Sequence, residues 1–169
     1  MAVTATPQLP AVRTTLPRSV VVAATAFVLT GVLRMATAAE QLSLSAGLAA
    51  LFFVIAAAQI GFGLLLGIGV RRVTSTPVAF TAMVVTLALI GAWLVVTTTT
   101  VPLYPLMNGD FAVDVLDLAG AILELTAVVA LCRSLPERIR PRVTWSLVGL
   151  VSVAWLVWVV IVVIAGLTN

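Results

Sequence analysis

The sequence predicts an all-α integral membrane bundle of five transmembrane helices, on three observations. Hydrophobic residues make up 62% of the 169 residues and charged residues 9%, against roughly 45–50% and 25% in a soluble domain. A domain of this length leaves a large share of its surface exposed, so an apolar fraction this high has to meet lipid, and the mean hydropathy is +1.25. The apolar residues also fall into five continuous runs, each close to the roughly 20 residues a helix needs to cross a hydrocarbon core of about 30 Å. Closed β-barrels can span lipid as well, but they need short alternating strands, which these runs are not.

In chain order, residues 1–18 are polar with Pro7, Pro10 and Pro17, and read as a mobile cytoplasmic tail; residues 19–169 form a single bundle. The first helix is expected over 19–39 and the second over 46–70, closed by Arg71 and Arg72. The third is expected over 77–98, with Thr76 as N-cap and Pro77 at the first helical position, where its missing N–H costs nothing. Pro102, Tyr104, Pro105, Asn108 and Gly109 then make a loop. The fourth helix is expected over 111–132, capped by Asn108 or Asp110, followed by the basic loop RSLPERIRPR at 133–142 and the fifth helix over 143–167.

Orientation follows from the arginines. The chain has nine Arg and no Lys. A cytoplasmic N-terminus puts Arg13, Arg18, Arg71, Arg72, Arg133, Arg138, Arg140 and Arg142 inside, and the outer loops then carry Glu40 and Asp110 but no Arg. Cytoplasmic loops are the ones enriched in Lys and Arg, so the C-terminus is expected outside, in the plasma membrane. A rival reading of the first run is a signal peptide, with Ala36-Thr37-Ala38 as a cleavage site; Arg34 speaks against it, and the rest of the topology is the same either way.

The residue types exclude much chemistry. There is no His, and Cys132 is the lone cysteine, which leaves no internal disulfide, no Cys/His metal site and no imidazole base. A Ser/Lys dyad is impossible without Lys. A two-Asp intramembrane protease needs its acids on different helices, whereas Asp114 and Asp117 share one. No phosphate loop or nucleic-acid element is present. The expectation is a non-enzyme with no cofactor and no metal, whose partners are the lipid bilayer and a larger membrane complex or a second copy, with no nucleic acid.

The intramembrane polar residues are the candidates for function. Asp110, Asp114, Asp117 and Glu124 are spaced 4, 3 and 7 apart, which places them within an arc of roughly 80° on the fourth helix. Asp110 and Asp114 suit a helix N-terminus. Glu124, counted from Asp110, lies about 21 Å in, near the midplane. There a carboxylate has to face the bundle or carry its proton, and an isolated one is expected as the neutral acid, bonded to Gln59 at the same depth or to a backbone carbonyl exposed by the glycines of the second helix. Arg34, about 24 Å beyond Arg18, is expected to pair with Asp114 or Asp117, with snorkelling to the interface as the alternative; Thr30 and Thr37 share its side of the helix. Gln59, Gly63 and Gly67 follow the i, i+4, i+8 pattern, and Gly63–Gly67 and Ala57–Gly61 are small-residue steps suited to close helix packing. The fifth run has no charge and reads as a lipid-facing or partner-facing helix.

Ala39-Glu40-Gln41-Leu42, Phe52-Phe53 with Gln59, Ala92-Trp93, Asp117-Leu118 and Glu124-Leu125 together resemble a loose group of small actinobacterial multi-pass membrane proteins with no assigned activity. The resemblance covers roughly residues 20–132 and implies the bundle but no function. It implies Glu-His where this chain has Glu40-Gln41, so a role resting on that His is missing here. Two functions are therefore expected: an accessory or scaffold subunit of a membrane complex, or a small transporter or proton/cation conduit using Arg34, Asp117 and Glu124.

Overall fold

The computed structural model describes residues 16–41, 46–70, 75–98 and 115–167, and the described residues form five helices: α1 Arg18–Gln41, α2 Ala46–Gly67, α3 Thr76–Thr98, α4 Val115–Ser134 and α5 Arg140–Leu167. All five are long and apolar enough to cross a membrane.

α1 runs one residue earlier and two later than expected and α4 ends two residues later; three further boundaries differ, each for a local reason. α2 stops at Gly67 rather than at residue 70, because Gly69 adopts φ 72°. The Gly69 N–H bonds the Leu66 carbonyl at 3.0 Å and the Val70 N–H bonds the Leu65 carbonyl at 3.2 Å, the paired reverse bonds that terminate a helix at a left-handed glycine. α5 begins at Arg140, three residues early, because Pro141 fits a first turn, where a helical N–H has no partner to lose. The Arg140 guanidinium donates to the carbonyls of Arg133 and Leu135 at 3.0 and 3.1 Å, so a residue of the expected basic loop caps the end of α4. α3 begins one residue early, with the Ser75 carbonyl accepting from the Ala79 N–H at 3.0 Å. The expected start of α4 and its caps lie outside the described residues.

α1 is the hub. It packs along α2 on one side and α4 on the other, while α3 packs on α4 and α5 touches α3 and α4 only lightly. The α1 interior is built from small residues, Ala23, Ala24 and Ala26, with Phe27 set edge-on to Phe62 of α2 at 5.0 Å between ring centres. Two glycines set the α1–α2 distance. A Cβ on Gly63 would meet the Ala24 carbonyl oxygen at 2.8 Å, and one on Gly31 would meet the Ala56 carbonyl oxygen at 2.8 Å. Backbone thus rests on backbone at both points, which only glycine permits. Gly31 near Ala56 and Gly63 near Ala24 also fix the two helices as antiparallel.

α4 turns Val128, Ala127 and Leu131 into the core and leaves Leu118, Ile122, Leu125 and Val129 outward. α5 is anchored by Val143 and Leu147 and by a 3.2 Å contact between the Cys132 thiol and the Thr144 hydroxyl. From residue 148 onward its described side chains are exposed, apart from half-buried Trp158.

Candidate functional site

Three helices each bring one polar side chain to a single point: Arg34 from α1, Gln59 from α2 and Glu124 from α4. Arg34 donates to Oε1 of Glu124 from Nε at 3.0 Å and from Nη2 at 2.5 Å, and Gln59 donates to the same oxygen from Nε2 at 2.8 Å. Glu124 is 1% exposed and Gln59 is buried. Arg34 and Glu124 form the one ion pair among the described residues.

The local sequence explains the convergence. Gly31 and Gly63 draw α1 and α2 together just where the cluster forms, one turn from Arg34 and one turn from Gln59. The hydroxyls beside Arg34 take no part. Thr30 donates to the Ala26 carbonyl at 2.9 Å and Thr37 to the Arg34 carbonyl at 3.2 Å, so each satisfies its own helix.

The bonding is one-sided. Oε1 of Glu124 receives three donors, whereas Oε2 is buried with no hydrogen-bond partner among the described residues, as is Oε1 of Gln59. A carboxylate only accepts, so Gln59 has to turn its NH2 toward Glu124 and its carbonyl away. Arg34 and Glu124 cancel in charge, which is what makes two ions tolerable in a low-dielectric interior. The cluster holds an acceptor oxygen free to take a proton or a hydrogen-bond donor, and no nucleophile beside it.

Two sequence expectations are corrected here. Arg34 aims these donors at Glu124 rather than at Asp117. The depth count set Arg34 in the outer leaflet and Glu124 near the midplane, and left out the reach of a guanidinium. A helical side chain leans toward its own N-terminus, and for Arg34 that is the direction that closes the gap. Glu124 is also not isolated: the guanidinium supplies the countercharge that the neutral-acid reading assumed was missing. The hydrogen bond between Glu124 and Gln59 forms as expected.

Asp117 lies on the same face of α4, two turns from Glu124, and is half-buried; Asp114 lies outside the described residues. Of the small-residue steps, only Gly63 is in tight contact. A Cβ on Gly67 would come no closer than 3.9 Å to Ala24 Cβ, and one on Gly61 would meet nothing within 4 Å. Gly31 was not singled out from the sequence, although Ala24, Phe27 and Gly31 at i, i+3 and i+7 mark the packing stripe. No family model matches the chain, and neither curated proteins nor solved structures give a match.

Proposed function

We propose that this chain is a non-enzymatic accessory or scaffold subunit of a plasma-membrane complex, with its N-terminus cytoplasmic and its C-terminus outside. The carrying observation is the contrast between polar side chains that bind one another inside the bundle and an α5 that packs on little of its own chain. The ion pair and Gln59 bind one another inside the bundle, whereas α5 leaves Val153, Trp155, Leu156 and Val160 exposed at 53% or more. A helix that packs on little of its own chain leaves a long face that a transmembrane helix of another protein can cover. Photocrosslinkers at Val153 and Leu156 in native membranes are expected to give a protein adduct of fixed stoichiometry, while one at Ile122 of α4 gives lipid adducts. Lipid adducts alone at the α5 positions count against this function. For the orientation, a reporter fused after Asn169 is expected to read extracytoplasmic.

The second reading is a proton or cation conduit, supported by the oxygens of Glu124 and Gln59 that have no partner among the described residues. Its test is flux in reconstituted vesicles carrying a pH dye. Flux in the wild type that disappears in Glu124→Gln replaces the scaffold reading, since an amide cannot exchange a proton. The burial of Glu124, at 1% exposure, supports the scaffold reading over this one.

A further inference from the structure

Arg18 opens α1 and Arg133 lies in the last turn of α4, and a groove of ≈ 460 Å³ runs between the two helices with these arginines among its lining residues. Val22 of α1 and Leu125 and Val129 of α4 form apolar walls. The hydroxyl of Thr126 in that wall is bonded to the Ile122 carbonyl at 2.8 Å, so it presents its methyl group rather than a free donor. No lining residue is acidic. Both arginines are exposed, and the described residues hold no carboxylate paired to either.

We propose that this groove is a binding site for one anionic phospholipid, with its phosphate between Arg18 and Arg133 and an acyl chain along Val22, Leu125 and Val129. Any apolar groove facing a bilayer is filled by hydrocarbon. The two arginines, one from each helix at the same end, add a preference for a negative headgroup. Basic pockets between transmembrane helices recognise lipids in this way, and the guanidinium forks of two arginines match phosphate oxygens. The site does not depend on the scaffold function or on which side of the membrane it faces.

The test uses the full chain in mild nonionic detergent, titrated with phosphatidylglycerol or with phosphatidylcholine of the same acyl chains, and bound lipid is counted by native mass spectrometry. The wild type is expected to hold one phosphatidylglycerol per chain, at least about tenfold more tightly than phosphatidylcholine. Arg18→Gln with Arg133→Gln is expected to weaken phosphatidylglycerol about thirtyfold, the loss of two arginine–headgroup attractions. Val22→Trp, which keeps both charges but fills the groove, is expected to weaken both lipids. Arg138→Gln with Arg142→Gln, at two exposed arginines away from the groove, is expected to change nothing. Equal binding of the two lipids by the wild type overturns the proposal without needing any variant. An equal loss in the Arg138/Arg142 variant overturns it as well, since the attraction would then be diffuse. Undiminished binding in Val22→Trp shows that the groove is not the site.

Discussion

α1 and α5 are both long apolar helices, of 24 and 28 residues, yet they occupy opposite positions in the fold. In the apolar stretch of α1 39% of residues are buried, against 11% for α5. Hydropathy does not separate them, and composition along the helix does. α1 carries Ala23, Ala24, Ala26, Gly31 and a charge, while α5 carries Val, Ile, Leu and Trp almost throughout. Lipid is as apolar as leucine, so burying a large side chain against a neighbour gains little in a bilayer. Close backbone approach and polar pairing are what bring helices together there. The two helices show that the centre of this bundle is marked by small and polar residues rather than by the most hydrophobic ones.

The largest effect should come from breaking the polar pair at the hub. Arg34→Ala leaves the Glu124 carboxylate buried without its countercharge, a loss of roughly 3 kcal/mol. Adding Glu124→Gln to Arg34→Ala removes the stranded charge and should restore most of that stability. Unfolding titrations in bicelles across the four-member cycle measure the coupling. Additive losses would mean that the two residues do not stabilise one another, and α1 would owe its place to small residues alone.

The glycines sharpen the same comparison on the packing side. Gly31→Ala and Gly63→Ala each push a methyl group into a carbonyl oxygen of the facing helix and should cost about 2 kcal/mol through forced separation of α1 and α2. Gly67→Ala meets only ordinary contact and should be neutral or stabilising by up to about 1 kcal/mol from helix propensity. A uniform response at the three positions would dissolve the distinction between a tight contact and a slack one.

The sequence carried the five spans and the shared face of Asp117 and Glu124, because a 3.6-residue period acts within one helix and needs no knowledge of neighbours. Glu124 and Val128 turn inward together, as their spacing implies. The partner of Arg34 was less legible, because it depends on how two helices are offset and how far a guanidinium reaches. The role of Gly31 was hidden for a similar reason: its contact is with Ala56 and Ile60 on another helix, and a single glycine without a nearby second one makes no motif. The end of α2 was set by the left-handed Gly69, which an apolar run of Leu, Gly and Ile conceals.

Gln59 tests how much of the hub is polar pairing and how much is shape. Gln59→Met removes one donor to Glu124, worth about 0.6 kcal/mol between helices in a bilayer. It also removes a buried carbonyl that has no partner among the described residues, and relief of that cost should offset part of the loss. The same titration should therefore register a change of at most about 0.6 kcal/mol. A loss several times larger would mean that the Gln59 carbonyl has a partner in the membrane, and would favour the conduit reading.

The smallest effect is expected at α5, and it bears most directly on the contrast with α1. Val153, Val157 and Val160 are exposed, so Val→Ala at each removes methyl groups that touch lipid rather than protein. In the unfolded reference state within the membrane the same helix is inserted and meets the same lipid, so the transfer terms cancel. The tilted stack of Trp155 on Trp158, at 4.7 Å between ring centres, lies within one helix and persists when that helix separates, so it contributes nothing to the comparison either. The triple Val→Ala variant should therefore unfold within about 0.5 kcal/mol of the wild type in purified form. Val128→Ala, whose side chain is buried on α4, should cost about 1 kcal/mol for fewer methyl groups. In native membranes the order should reverse: the triple variant loses the α5 protein crosslink and Val128→Ala keeps it. A purified triple variant destabilised by more than Val128→Ala would show that α5 closes onto its own bundle, and the exposed helix would no longer point to a partner.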